Sequence, residues 1–187
     1  MVVFNISPKL TIIFRGLIRR GLFRECWQAT NITAILKGTP SPDRGSYCPI
    51  SITTTLSMVY EKLVSYKLKK YGFRPAAQCA YRKGLCCKVA LPTIFHHLQR
   101  SLDTGMESYI VQLEHSAAFD RVSRSGLVFK LKSIVVGGSV LFICREFLYN
   151  SRQRAELDGA ISKWIPIAPG VPQGCVLGPL LFILYTS

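Results

Sequence analysis

Two short stretches carry side chains whose types and spacing could do chemistry. In Tyr109–Asp120 the apolar run Ser108–Leu113 predicts a strand, with Glu114 at its tip and Asp120 six residues on, behind Phe119. A strand end is a rigid mount for a metal-binding carboxylate. The plainer reading makes Glu114 a solvated terminus and Asp120 the cap of the next turn. In Pro169–Pro179 (Pro-Gly-Val-Pro-Gln-Gly-Cys-Val-Leu-Gly-Pro) three glycines and three prolines frame one amide, Gln173, ahead of an apolar helix. Glycines there let another backbone or a ligand approach closely, although an ordinary strand-to-helix turn uses them too.

Other reactive groups form no such pattern. The 7 cysteines (Cys26, Cys48, Cys79, Cys86, Cys87, Cys144, Cys175) are odd in number and contain no Cys-x-x-Cys. His96-His97 and His115 complete no ligand spacing. The cysteines therefore read as free thiols in a reducing compartment.

Charge is the stronger compositional signal. The 187 residues hold 24 Lys+Arg against 10 Asp+Glu, a formal net charge of +14, with 49% hydrophobic residues. The apolar content excludes a disordered basic tail, and the basicity points to an anionic partner such as nucleic acid. From Lys62 to Leu102 there is no acid at all, while Lys62, Lys67, Lys69, Lys70, Arg74, Arg82, Lys83, Lys88 and Arg100 fall there. A solubilising surface usually mixes signs. The start lacks a basic n-region, and no stretch reaches the roughly 18 apolar residues of a membrane span. An intracellular protein, nuclear or cytoplasmic, without membrane contact is expected.

The elements that must position these residues mix helix and strand. Ser7-Pro8 opens a helical pattern with Leu10, Ile13, Phe14, Leu17 and Ile18 on one face. Asn31–Leu36 predicts a short strand, Thr39–Gly45 a loop, and Thr54–Tyr71 a helix with Leu56, Val59, Tyr60, Leu63, Val64 and Leu68 as its apolar stripe. Further helices are expected within Lys88–Leu102, with Pro92 in the first turn, and at Leu127–Val136, Val140–Tyr149 and Val176–Tyr185. Arg152–Leu157 and Ser162–Ile167 predict a hairpin across Asp158-Gly159. No regular βαβ alternation appears, so the class is α+β.

Taken together, these segments resemble the reverse transcriptase of jockey-like non-LTR (LINE-type) retrotransposons. Cys26–Gly38 is similar to the family's leading strand, and Ser46-Tyr-Cys-Pro-Ile-Ser51 resembles its tyrosine-arginine-proline-isoleucine-serine motif. Gln78–Leu85 looks like its fingers motif, Leu113–Val122 like its first catalytic palm motif, and Gly170–Leu181 like its nucleotide-pocket loop. The resemblance implies a partial right-hand polymerase: fingers over about 1–107, a palm strand with the first catalytic motif over 108–122, a connection over 123–168, and the pocket loop and its helix over 169–187. It implies extension of a DNA primer on an RNA template from deoxynucleoside triphosphates, with two Mg²⁺ (or Mn²⁺) ions ~3.5–4 Å apart. By resemblance Glu114 occupies the position of the family's metal-binding aspartate, and Phe119 lies under the nucleotide sugar. Gln173 and Gly174 line the nucleotide and template pocket, and Lys37, Arg82 and Lys83 face template or triphosphate.

The departures bear on activity. Glu114 replaces the aspartate, and its extra methylene moves the carboxylate by roughly 1.3–1.5 Å against a tolerance of about 0.5 Å. The family's later pair of adjacent aspartates has no counterpart among the 187 residues. Cys48 stands in place of an arginine that would meet the nucleotide, and Cys79, His115 and Cys175 replace phenylalanine, phenylalanine and serine. A catalytically inactive fragment with no complete metal site is expected, and a non-catalytic RNA- or DNA-binding module is the alternative. A palm without its catalytic hairpin is expected to leave Val176–Tyr185 exposed.

Overall fold

The structure is a computed structural model, and it describes residues 2–39, 46–71, 78–82, 84–134, 136–157, 159–167 and 169–187, with side chains from residue 6. Lys83, the predicted loop beyond Thr39 and the Asp158 turn position lie outside the described residues. The chain divides into two compact units, Met1–Phe73 with Phe119–Ser187, and Arg74–Ala118.

The first unit mixes helices with a five-stranded sheet among the described residues. In chain order it holds α1 (Val2–Arg20), α2 (Glu25–Gln28), β1 (Ala29–Leu36), β2 (Tyr47–Ile52) and α3 (Thr55–Lys69). The second unit contributes α4 (Cys87–Asp103). The first then resumes with α5 (Arg124–Ser133), α6 (Gly138–Tyr149), β3 (Arg152–Leu157), β4 (Ala160–Ile161), β5 (Ile165–Pro166) and α7 (Leu177–Thr186). The α+β class is as expected.

The sheet runs β2-β1-β3-β4, with β5 also on β3. β1 pairs antiparallel with β2 (Ile32 opposite Ser51) and parallel with β3 (Thr30 opposite Gln153). Because strand side chains alternate, Ile32, Ser51 and Gln153 share one face, while Asn31, Ile52 and Arg154 share the other. Within the expected second hairpin strand, Ser162–Ile167, only β5 forms, and β4 pairs with β3 just before it. The Ala155 N–H donates to Ser162 Oγ (2.9 Å) at the break, so a side chain takes a ladder position and interrupts the pairing.

Helix stripes build the core. Thr54 Oγ1 caps α3 by accepting from Ser57 N at 3.3 Å, and Tyr60, Val64 and Leu68 face inward. Phe14, Phe23, Trp27, Tyr60 and Phe147 form an aromatic cluster with ring centroids 5.2–6.0 Å apart. Leu127, Leu131, Ile143, Leu177 and Leu181 are fully buried, each contributing about 1.5–3 kcal/mol from lost apolar exposure. The C-terminal helix α7 is therefore covered rather than exposed, because α3 and α5 pack on it. Two predicted stripes are wider than the core. Ile13, Leu56, Val59 and Leu63 remain exposed. Both α1 and α4 begin earlier than predicted and carry a proline in the second turn (Pro8, Pro92), each forgoing one backbone hydrogen bond.

The strand expected over Ser108–Leu113 is not formed. Tyr109, Ile110, Val111 and Leu113 are 68–85% exposed. A strand is held by the neighbour that takes its backbone groups and by cross-strand packing, not by its own apolar residues. Residues 108–113 pair with no strand among the described residues.

Candidate functional site

The site grows from the loop Pro169–Val176, which the chain welds to two other segments through its backbone. The Val171 N–H donates to Phe119 O at 2.9 Å. Gly170 (φ +108°) lets these strands of chain touch, since a Cβ there would lie 2.4 Å from Phe119 O. The Ser51 N–H donates to Gln173 O at 2.9 Å, and Gly174 (φ +92°) sits where a Cβ would lie 2.7 Å from Ser51 O. The Ser46–Ser51 stretch and the glycine-proline loop, 120 residues apart, are thus a single packed object. Both glycines hold left-handed φ that other residues adopt only under strain.

Side chains complete the loop's support. Arg124 Nε donates to Gly170 O and its Nη2 to Ile167 O, both at 3.1 Å. Partial burial lowers the Arg124 pKa from its ordinary value. Cys175, in the position where the resemblance has serine, donates to Pro172 O (3.0 Å) and accepts from Gly178 N (3.2 Å). The thiol thereby takes up the hydrogen-bonding place of a hydroxyl, and burial pushes its pKa up to about 12.

Beneath the loop lies Glu61, a carboxylate with no exposed surface. Its Oε2 accepts from Val176 N (2.8 Å) and Leu177 N (3.0 Å), and its Oε1 accepts from Ser57 Oγ (3.0 Å). It therefore caps the N-terminus of α7, where the unpaired amides and the helix dipole favour an anion. Burial raises its pKa all the same, and the hydrogen bonds from Leu177, Ser57 and Val176 only oppose that shift.

The result is a cleft of about 250 Å³, floored by the Ile32, Ser51 and Gln153 face of the sheet and walled by Asp120 and the loop. Gln173 Nε2 donates to Asp120 Oδ1 at 3.0 Å. Phe119 stacks on Phe182 with centroids 4.5 Å apart and planes at 16°. The carboxylate and carboxamide that line this cleft can exchange hydrogen bonds with a ligand.

The expected site residues are partly assembled here. Phe119, Gln173 and Gly174 lie together. Lys37 is exposed just past β1, where its N–H donates to Ser46 O at 2.8 Å. Glu114 is exposed and belongs to the second unit, as does Arg82, whose Nη1 donates to Gln78 O at 2.9 Å. The acid-free basic window also divides between the units, with Lys62, Lys67, Lys69 and Lys70 in the first. No three His, Cys, Asp or Glu side chains among the described residues stand together as metal ligands.

Glu61 and Arg124 were not found by sequence reasoning. Glu61 had a signal: Ser57, Glu61, Val64 and Leu68 recur at helical spacing, which puts a charge on the buried face of α3.

Solved apo telomerase from Candida tropicalis, truncated from its C-terminal domain, superimposes with a TM-score of 0.52 over 88% of this chain and 39% of that one, at 12% identity. That likeness shows the fold alone. The family model for reverse transcriptase (RNA-dependent DNA polymerase) matches residues 35–187, and the chain belongs to that family. It is 31% identical over 182 residues to a probable RNA-directed DNA polymerase from transposon X-element of Drosophila melanogaster, across 95% of this chain and 20% of the relative. It is also 31% identical over 183 residues to the RNA-directed DNA polymerase of the mobile element jockey from the same organism, with the same coverage. The chain spans about a fifth of the length of these curated relatives. No helix among the described residues is long and apolar enough to cross a membrane.

Proposed function

We propose that this chain is the fingers-and-palm part of a retrotransposon reverse transcriptase that keeps the nucleotide-pocket scaffold but does not, by itself, polymerise DNA. In this reading 1–107 form the fingers, 108–122 the first palm segment, 123–168 the connection, and 169–187 the pocket loop and helix. Phe119, backed by Phe182, lies under the nucleotide sugar. Gln173, oriented by Asp120, offers its remaining hydrogen-bonding capacity to the nucleotide or template. RNA template and DNA primer run along basic surface, including Lys69 and Lys70 at the end of α3, and the family resemblance also assigns Lys37, Arg82 and Lys83 to template or triphosphate. In the family Mg²⁺ or Mn²⁺ supplies the electrostatic activation of the attacking hydroxyl.

The observation that carries the inactive reading is Glu114. It stands in the position of the family's metal-binding aspartate, on an exposed stretch with no strand beneath it, and no adjacent acidic pair exists in the 187 residues. Phosphoryl transfer depends on metal electrostatics and positioning, which one exposed carboxylate, a methylene longer than the aspartate it replaces, does not provide. Primer extension on an RNA template, with Mg²⁺ and with Mn²⁺, is expected to give no template-dependent product. Extension that Glu114→Ala abolishes refutes the proposal.

A further inference from the structure

Outside the cleft, an apolar groove of about 590 Å³ lies between α1 and α3. Its walls include Ile6, Leu10, Val59, Leu63 and Tyr66. Ile6 is 47% exposed, Leu63 40% and Tyr66 64%, so these apolar side chains are left uncovered by the core. From Ile6 to Ile18 the groove follows α1 for roughly 18 Å at the helical rise, or about three turns of a partner helix. Soluble proteins seldom leave such a surface bare without a use for it.

The rim identifies the partner. Arg15 and Lys67 border the groove. No acid occurs within α1, which also carries Lys9, Arg19 and Arg20. The one acid of α3, Glu61, is buried under the α7 terminus, so α3 offers the surface only Lys62, Lys67 and Lys69. An apolar floor between two helices with an all-cationic rim fits the packing of a third helix, and the complementary helix is acidic. A second copy of this chain does not fit, because +14 would meet +14. None of its described helices of eight residues or more carries an acidic excess.

We propose that the α1–α3 groove docks an acidic amphipathic helix from outside these 187 residues, with leucine-type side chains on the floor and carboxylates against Arg15 and Lys67. The site is separate from the cleft around Gln173 and does not rest on the reading of that cleft. The probe is a fluorescein-labelled peptide of about 15 residues, with leucine at i, i+3, i+4, i+7 spacing and glutamate elsewhere, titrated with the full 187-residue chain. Saturable one-to-one binding is expected, with none by the same peptide carrying lysine for glutamate. Leu63→Glu, at an exposed position, is expected to weaken binding about tenfold or more, a change of about 1.4 kcal/mol. The double change Arg15→Gln and Lys67→Gln is expected to weaken it and flatten its salt dependence. Both proteins should keep the parent's circular dichroism and melting temperature. Equal binding by parent and variants, equal binding of the lysine peptide, or capture by phosphatidylserine vesicles without peptide binding overturns the proposal.

Discussion

Glu61 makes the sharpest test of how the loop is held. Replacing it with alanine strands two helix-terminal amides, Val176 N and Leu177 N, and the Ser57 hydroxyl, all in an interior that admits little water. A buried donor left without an acceptor costs about 1–3 kcal/mol, so the amides and the vacated volume together predict a loss of roughly 3–5 kcal/mol. That is a large share of a domain's usual stability of about 5–15 kcal/mol. Glutamine isolates the charge from the hydrogen bonds. Its carbonyl oxygen can accept from both amides where Oε2 does, and its NH₂ can donate to Ser57 Oγ once that hydroxyl turns. Glu61→Gln is therefore expected to stay within about 1 kcal/mol of the parent, with Glu61→Ala well below both.

The parent and the glutamine variant also differ in pH dependence. Burial raises the folded-state pKa of Glu61 above its ordinary value of 4.5, so the folded chain holds that proton more tightly than the unfolded one. The resulting stabilisation is complete below 4.5 and is lost as pH rises through the raised value. Glutamine cannot titrate, so Glu61→Gln should gain on the parent between acid and about pH 8. Urea unfolding of the three proteins at both ends of that range reads the differences. An alanine variant as stable as the glutamine variant refutes the capping role, and a glutamine variant that loses ground to the parent as pH rises refutes the sign.

Two further substitutions probe the backbone weld. Gly174→Ala places a methyl 2.7 Å from Ser51 O at φ +92° and is expected to cost about 1–3 kcal/mol of strain, visible as a lowered melting temperature; an unchanged melting temperature contradicts the close approach. Arg124→Met removes the donors to the Gly170 and Ile167 carbonyls. Hydrogen bonds to charged groups contribute about 1.5–3 kcal/mol, so urea unfolding should show a loss of that order, and faster hydrogen exchange at Val171 should accompany it.

What the sequence made legible follows from which interactions are local. The helices at α3, α6 and α7 were readable because their apolar spacing and their core are the same fact, as Tyr60, Val64, Leu181 and Leu184 show by being buried. The glycine-proline loop was readable as a close approach because Gly170 and Gly174 have few other reasons to be glycine. The β2 strand over Tyr47–Ile52 was recognised as a motif and not as a strand, since Pro49 and Ser51 give no alternating apolar signal. Its register depends on β1 and on Gln173, far away in sequence. The error at Ser108–Leu113 has the same origin. Its apolar residues have strand propensity, but pairing is a property of two segments, and one segment cannot reveal it.

That distinction also bears on how the glycine-proline loop can keep its form whatever stands at residue 114. The contacts that fix the loop run largely through backbone: Val171 N to Phe119 O, Ser51 N to Gln173 O, and Arg124 to two carbonyls. Such contacts tolerate many side-chain changes, and at Cys175 a thiol keeps the hydrogen bonds to Pro172 and Gly178. Metal binding has no such tolerance, because a carboxylate must reach a fixed point to within about 0.5 Å. Glu114 is exposed, in the unit that does not contain the loop. Folding of the loop therefore places little constraint on residue 114, whereas the bare groove between α1 and α3 remains apolar on a surface where a solitary domain gains nothing from leaving Leu63 and Tyr66 in water.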